Sequence, residues 1–366
     1  MSPCGDNVTS HSTQPIAIVG MSMRLPGGIK TSEQFWDMLI QKKDGHGQVP
    51  PSRYDVDKYY SATPKKGTVY TKTGYFLEDN LAAFDAAFFS LSKSEVAQMD
   101  PQQRMLCEVV WECFENAGQK GWRNQDIGCY VGVFGEDWLE ISRKDPQDVG
   151  SYHVIGTGDY AISNRISYEY DLKGPSMTIR TACSSSLTGL HEACRALSHG
   201  ECVGAIVAGT NLIMAPTTTI GMCEVGVLSR DGRCKTFDAT ADGYGRGEAI
   251  NAIYIKRLDD AIRDGNPIRA VIRGTAVNSD GRTPNITYPN AVAQEQLIRR
   301  AYQSANIQDI SQTGFFECHG TGTVAGDTVE TVAISKAFGG KGTILGSVRF
   351  LHFLMAEPLE LRRFQG

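Results

Sequence analysis

The sequence predicts an α/β protein. Short apolar runs of strand length alternate with longer stretches of helical periodicity along most of the chain. Several of these runs are continuously apolar, which is typical of strands buried on both faces of a sheet by helices. The 366 residues are 41% hydrophobic, enough for a large core.

The first part of the chain opens this alternation. "PIAIVG" (15–20) predicts a strand, and "SEQFWDMLIQKKDG" (32–45) predicts a helix that stops at Gly45. Residues 46–80 are rich in Pro, Gly, Tyr and Lys and predict a long irregular segment.

The clearest helix covers residues 99–118. Asp100 is a candidate N-cap, Pro101 suits the first helical position, and Gly118 ends the helix. An apolar stripe predicts the buried face, formed by Leu106, Val109, Val110, Cys113, Phe114 and Ala117.

Strands and helices then alternate to residue 348, without a Pro/Ser-rich linker that would separate independent domains. The predicted strands are "IGCYVGVF", "SMTIRTA", "VGAIVAGT", "AINAIYIKRL", "IRAVIRGTAV", "TGFFEC" and "TILGSV". The predicted helices are "SSSLTGLHEACRALSHG", "VAQEQLIRRAYQSA" and "DTVETVAISKAFG".

Composition excludes several classes of protein. The net charge is −5 and no basic run stands out, which argues against a nucleic-acid partner. The ten cysteines form no CxxC pairs, no stretch approaches a membrane span, and the polar N-terminus lacks a signal core. We therefore expect a cytoplasmic protein with a disordered lead-in over residues 1–14.

"TIRTACSSSLTGL" (178–190) places Cys183 between a predicted strand and a predicted helix. The unpaired N–H groups of a first helical turn favour a thiolate there, and small neighbours admit a thioester. The backbone N–H can serve as an oxyanion donor. From this pattern alone, a nucleophile and a buried thiol remain equally open.

The helix after Cys183 contains a metal-like spacing, formed by His191, Cys194, His199 and Cys202. Positions 191, 194 or 195, 198 and 202 also trace one side of this helix, and Cys202 lies past Gly200, beyond the helix end. A zinc site needs four converging ligands, so we expect no metal.

"FFECHGTGTVAGDTVET" (315–331) places His319 directly after a strand. Gly320 and Gly322 open a loop, in which Thr321 and Thr323 offer hydroxyls beside the imidazole. Such a histidine can donate a hydrogen bond to a carbonyl oxygen on which charge develops. A plain turn is the alternative.

Together these patterns resemble the β-ketoacyl synthase domain of type I polyketide synthases, in the iterative, highly reducing fungal style. The resemblance runs from residue 15 to about 348. Its motifs are "PIAIVGMSMRLPGG", "FDAAFFSLSKSEVAQMDPQQRMLCEVVWECFENAG", "LKGPSMTIRTACSSSL", "VGVLSRDGRCKTFDATADGYGRGE", "VNSDGRTPNITYPN" and "HGTGTVAGDTVE".

The resemblance implies a thiolase-like fold, with two similar α/β halves in an α-β-α-β-α arrangement, and a homodimer formed through the first half. It implies that Cys183 takes an acyl group from an acyl carrier protein and that His319 helps to decarboxylate the malonyl thioester. Thr321 and Thr323 would contact the phosphopantetheine arm. The implied reaction is a decarboxylative Claisen condensation that uses no metal and no other cofactor.

Two departures lie near these motifs. Arg180 stands where the family commonly has Asp, and it would either add positive potential near the thiolate or form ion pairs elsewhere. Ala249 replaces the last glycine of an RGEG motif, and we expect strain if this position requires a positive φ.

After Val348 the sequence leaves the family pattern K-x-N-I-G-H. Arg349, Leu351 and Leu354 occupy the lysine, asparagine and second-histidine positions, and His352 lies two residues early. "AFGGKG" (337–342) is similar to the family's Gly-Phe-Gly-Gly loop, which carries the second oxyanion donor, but it precedes the "LGSV" strand.

We therefore predict a first half over about 15–258, an incomplete second half over about 259–348, and an aberrant tail over 349–366. Three functions follow: a condensing ketosynthase, a loading-only acyltransferase, and a non-catalytic remnant.

Overall fold

A computed structural model of the chain describes residues 14–145, 147, 149–339 and 342–348. Its strands are β1 Ile16–Arg24, β2 His46–Gln48, β3 Thr73–Tyr75, β4 Ile127–Val133, β5 Ser176–Ile179, β6 Gly204–Asn211, β7 Ala249–Arg257, β8 Ala270–Ile272, β9 Phe316–Glu317 and β10 Leu345–Gly346. Its α-helices are α1 Ser32–Ile40, α2 Lys93–Gln98, α3 Pro101–Asn116, α4 Asp137–Ser142, α5 His153–Thr157, α6 Tyr160–Glu169, α7 Ser185–His199, α8 Thr217–Val225, α9 Leu258–Arg263, α10 Ala291–Ser304 and α11 Val324–Phe338.

The main sheet is mixed and has the order β5-β4-β6-β7-β1-β8. β4 pairs in parallel with β5 and β6, whereas β7 pairs antiparallel with β6 and β1. β8 extends the sheet antiparallel to β1. The parallel strands point their C-terminal ends the same way, so the segment after β5 emerges beside the ends of β4 and β6.

Helices cover both faces of this sheet. On one face the α3 residues Leu106, Val110 and Phe114 pack with buried residues of β1, β4, β6 and β7. On the other face the α7 residues Ala193 and Leu197 pack with Tyr130, Val207 and Ile255. Helices on both faces explain why the strands are apolar on both sides.

A second, smaller unit contains the parallel pair β9-β10 with α10 and α11. Its apolar cluster contains Cys318, Ile334, Ala337 and Phe338. This unit places the loop after β9 beside the N-terminus of α11. The α/β class predicted from alternation is confirmed.

Most predicted elements occur, with shifted ends. α3 matches the helix predicted over 99–118, with Asp100 accepting a hydrogen bond from Gln102 N at 2.8 Å and Pro101 in its first turn. α1 ends at Ile40 rather than at Gly45. The helices that were not predicted are α2, α4, α5, α6, α8 and α9. The segment predicted to be irregular, 46–80, contains the short strands β2 and β3. Residues 1–13 of the expected lead-in and the tail over 349–366 lie outside the described residues.

Within the described ranges, no helix is both long and apolar enough to cross a membrane.

Candidate active site

A strained turn presents Cys183. β5 ends at Ile179, and α7 begins at Ser185 after a 3₁₀ turn over Ala182–Ser184. Ala182 has φ +57°, a left-handed conformation that an L-residue adopts at a free-energy cost. The chain therefore reverses sharply from strand to helix with the thiol at the outside of the bend, as in a nucleophile elbow.

Local hydroxyl groups hold this turn. Ser185 Oγ accepts a hydrogen bond from Thr181 N at 2.8 Å and donates one to Ala182 O at 2.7 Å. Ser184 Oγ donates to Thr181 O at 2.8 Å. These three bonds provide hydrogen-bond partners for Thr181 N, Thr181 O and Ala182 O, which lie in the turn between the strand and the helix.

Gly132 allows α7 to approach the sheet. A methyl group at this position of β4 would lie 2.4 Å from Ser186 N and 2.7 Å from Ser185 C. The first turn of α7 therefore lies directly on the strand, which fixes where the turn with Cys183 projects.

Cys183 is exposed, whereas the other eight cysteines of the described residues are buried. Burial raises the pKa of the Cys202 thiol to about 11 and that of the Cys129 and Cys194 thiols to about 12. The sequence left two alternatives for Cys183, a nucleophile and a buried thiol, and its exposure excludes the buried thiol.

His319 follows β9, as predicted. The carboxylate of Glu330, on α11, accepts hydrogen bonds from His319 N at 2.6 Å and Gly320 N at 2.9 Å. A carboxylate that accepts two N–H groups restrains the loop more strongly than a neutral acceptor would. The exposed imidazole is thus carried on a loop tied to a helix.

Asp327 ties the same loop to the first half of the chain. Its carboxylate accepts hydrogen bonds from Gly322 N at 3.0 Å and from Phe237 N at 2.6 Å. Burial raises the pKa of Asp327, and the donated N–H bonds oppose that rise. Sequence reasoning missed Asp327 and Glu330, although their spacing of three places them on one face of α11.

The two threonines take different positions. Thr321 Oγ1 and Thr323 Oγ1 lie 2.9 Å apart, and Thr323 accepts from Gly326 N as the N-cap of α11. Thr321 lines the cavity described below, and Thr323 does not.

One cavity of about 620 Å³ brings three of the four predicted site residues together. Cys183, His319 and Thr321 all line it. Its other walls are largely apolar and include Leu25, Phe35, Met38, Leu39, Phe134, Met222 and Val348. A thiol and an imidazole that face one apolar space are suited to chemistry on a bound thioester.

Arg180 forms ion pairs away from the thiol. Its guanidinium contacts Glu136, pairs with Asp159 at 3.0 Å, and donates to Phe134 O at 3.3 Å. Of the two expectations for Arg180, pairing elsewhere is therefore the one observed.

The strain considered for Ala249 does not arise. Ala249 begins β7, pairs with Asn211 and has no positive φ. An extended strand accommodates any L-residue at this position.

The four residues with metal-like spacing, His191, Cys194, His199 and Cys202, form ordinary contacts with the rest of the chain. His191 Nδ1 lies 2.8 Å from Thr275 Oγ1, and His199 Nδ1 lies 2.8 Å from Arg195 O. Cys194 and Cys202 belong to the apolar cluster under α7. Among the residues that the structure describes, no group of three or more His, Cys, Asp or Glu side chains is arranged to hold a metal ion.

Solved structures show which class of protein this architecture defines. A ketosynthase domain of oxazolomycin biosynthesis from Streptomyces albus superposes with a TM-score of 0.84 at 35% identity, over 92% of this chain and 59% of that one. The module 6 ketosynthase of the bacillaene synthase from Bacillus subtilis gives a TM-score of 0.82 at 38% identity, over 92% and 57%. The fold is thus the thiolase-like fold of ketosynthase domains, as predicted.

Sequence comparison identifies the family. The model "Beta-ketoacyl synthase, N-terminal domain" matches residues 13–261, and "Beta-ketoacyl synthase, C-terminal domain" matches residues 269–352. The chain therefore belongs to the β-ketoacyl synthase family.

The relatives are fungal polyketide synthases. The highly reducing polyketide synthase g433 of Fusarium sp is 59% identical over 345 residues, and gloL of Glarea lozoyensis is 58% identical over 339 residues. These matches cover 94% and 92% of this chain but only 14% and 13% of those proteins. The chain thus corresponds to the ketosynthase domain of much longer relatives.

Proposed function

We propose that the chain is a ketosynthase that catalyses decarboxylative Claisen condensation. An acyl group first passes from an acyl carrier protein to the Cys183 sulfur, which releases the carrier thiol. A malonyl thioester then loses carbon dioxide, and its carbanion attacks the acyl carbonyl. A carbon–carbon bond forms, the bond from carbon to Cys183 sulfur breaks, and the thiolate is regenerated.

The single observation that supports this proposal is the shared cavity. Cys183 projects into it from a strained turn at the start of α7, and His319 enters it from the second unit. Two such groups on separate segments can act on two thioesters held in one space, which is the positional requirement of a condensation.

Each site residue would have a separate role in the reaction. The N–H of Cys183 would donate to the oxyanion of the acyl carbonyl. An imidazole N–H of His319 would donate to the malonyl thioester carbonyl and stabilise the enolate formed on decarboxylation. Thr321 and Thr323 would offer hydroxyls to the amides of the phosphopantetheine arm. The condensation needs no metal or redox cofactor, because loss of carbon dioxide drives it.

The partners follow from this role. We propose an acyl carrier protein as the donor and a second copy of the chain as a structural partner. β5 is the edge strand of the main sheet and exposes Met177, so it offers unpaired backbone groups to a copy of itself. Sedimentation velocity would test the dimer. A cytoplasmic location without membrane or nucleic-acid partners remains a prediction, as do the domain boundaries.

A loading-only acyltransferase is the second candidate. Leu351 and Leu354 stand where the family pattern has an asparagine and a second histidine. Without that histidine, a general acid/base contribution of about 10²–10⁴-fold would be missing. Such a chain would acylate Cys183 and condense slowly or not at all.

Mass spectrometry with acyl and malonyl thioesters tests both candidates. We expect wild type to gain one acyl group on Cys183 and Cys183→Ala to gain none. We expect His319→Ala to load within about threefold of the wild-type rate but to release carbon dioxide about 10²-fold more slowly. Loading without a ketide product favours the second candidate. Loading that persists in Cys183→Ala contradicts both candidates.

A further inference from the structure

Asn251 is a polar residue on an otherwise buried or half-buried strand. It is the one exposed position of β7, between Ile250 and Ala252, which are 0% and 1% exposed. Alternation places it on the same face as Ile253 and Ile255, which pack in the apolar cluster under α7. The amide thus interrupts an apolar row.

The Asn251 side chain lines the cavity near the start of α7. Asn251 pairs across the sheet with Gly209, and both residues line the cavity that Cys183 lines. A methyl group at Gly209 would lie 3.2 Å from Asn251 Oδ1 and 3.4 Å from Ser186 Cβ. The side chains of Asn251 and Ser186 therefore lie on either side of the space that a side chain at position 209 would fill.

Ser186 connects this space to the nucleophile. Ser186 lies in the first turn of α7, three residues after Cys183, which belongs to the 3₁₀ turn that leads into this helix. Side chains of a helix lean towards its N-terminus, so the Ser186 hydroxyl lies on the side of Cys183. Cys183, Ser186 and Asn251 all line the cavity, so an acyl chain on the sulfur shares this space with both polar side chains.

Both polar groups are free to bind a ligand. Across the described part of the chain, no side-chain hydrogen bond joins Asn251 or Ser186 to another residue. Asn offers two donors and an acceptor, and Ser offers one donor and two acceptor lone pairs. Polar groups in a mostly apolar cavity are stabilised by a matching polar ligand atom and are penalised by an alkyl chain.

We propose that Asn251 and Ser186 form a subsite that selects acyl chains carrying a hydroxyl or keto oxygen over fully reduced chains. The inference rests on the proposed loading of Cys183. In that step the Cys183 thiol loses its proton, and the thiolate attacks the thioester carbonyl carbon. A new carbon–sulfur bond forms, the carbon–sulfur bond of the donor breaks, and the donor leaves as a thiolate that takes up the proton lost by Cys183. The subsite acts on the chain beyond that carbonyl and determines which acyl group is held.

The test compares two thioesters of N-acetylcysteamine, butanoyl and 3-hydroxybutanoyl, by the rate of mass gain on Cys183. We expect wild type to load the hydroxylated chain about three- to tenfold faster, the range of one neutral hydrogen bond. Asn251→Leu removes the hydrogen-bonding groups at similar volume, and we expect its rate ratio to fall to about one. Ser186→Ala should reduce the ratio in the same direction.

Two controls separate the subsite from folding and from the nucleophile. Ser198→Ala truncates a serine near the other end of α7 and should leave the ratio as in wild type. Alkylation of Cys183 by iodoacetamide should stay within about twofold in every variant, because it involves no acyl chain. An Asn251→Leu protein that loads both thioesters with the wild-type ratio overturns the subsite but leaves the proposed function standing. A wild-type protein whose Cys183 is alkylated yet accepts neither thioester overturns both.

Discussion

Replacing Gly132 with alanine tests whether the contact between β4 and α7 positions Cys183, the proposed nucleophile. The added methyl would meet Ser186 N at 2.4 Å, Ser185 C at 2.7 Å and Ser186 Cα at 2.7 Å. All three are backbone atoms, so no side chain can rotate away. An ordinary contact needs about 3.4 Å, so the first turn of α7 has to move by about 1 Å.

That displacement has two measurable consequences. Overpacking of this kind destabilises a protein by about 1–3 kcal/mol, which urea denaturation followed by circular dichroism would detect. A shift of about 1 Å in a reacting group can slow a reaction by about 10²-fold. We therefore expect Gly132→Ala to slow acyl loading of Cys183 by about 10–100-fold under conditions in which the protein remains folded.

Gly189 supplies a matched control on the same helix. A methyl there would lie 3.4 Å from Ile179 Cδ1 and 3.6 Å from Tyr130 Cβ, which are ordinary contacts with side-chain atoms. Because alanine is favoured over glycine in a helix interior, Gly189→Ala should stabilise the protein by up to about 1 kcal/mol and load at the wild-type rate. Wild-type stability and loading in Gly132→Ala would refute the positioning argument.

Two further predictions concern the carboxylates. Glu330→Gln leaves one of the two N–H groups of His319 and Gly320 without its acceptor, so we expect about tenfold slower carbon dioxide release from malonyl thioester, with loading of Cys183 unchanged. The control is Glu295→Gln, which alters a half-buried glutamate of α10 that pairs with Arg299. A Glu330→Gln protein that slows loading as much as carbon dioxide release would contradict this role. Burial raises the pKa of Asp100 to about 6 in the folded protein, above its value of 3.8 without burial. The folded state therefore binds this proton more tightly than the unfolded state does. On lowering the pH from 7.5 to 5, the free energy of unfolding should rise by about 1.4 kcal/mol more in wild type than in Asp100→Asn. Denaturation curves at the two pH values measure that difference, and parallel changes in both proteins would show that Asp100 titrates normally.

Elements encoded by local patterns were predictable from sequence. The cap at Asp100, Pro101 and the apolar stripe of α3 lie within a few residues of one another, and the structure has the helix where they place it. The turn at Cys183 follows similarly from a strand, small residues and a helix. α8 was missed because its sequence "TTTIGMCEV" combines β-branched residues with a glycine, which weakens the helical pattern.

Features that depend on distant contacts were not predictable. Glu330 supports His319 across 11 residues, and Asn251 reaches the cavity only because β7 lies beside β6. Spacing within a motif identifies reactive groups, but the partners that orient them come from the tertiary fold.

The two proposed catalytic residues, Cys183 and His319, are positioned by separate sets of contacts, and one segment connects the two units that carry them. Cys183 depends on the packing of α7 against the main sheet, whereas His319 depends on carboxylates of α11. The segment from Thr236 to Gly243 joins the two units, since Thr236 Oγ1 donates to Gly320 O at 2.5 Å and Gly243 N donates to Gly322 O at 3.0 Å. Because these bonds reach the histidine loop and not the cysteine turn, disturbance of this segment should alter decarboxylation before it alters loading.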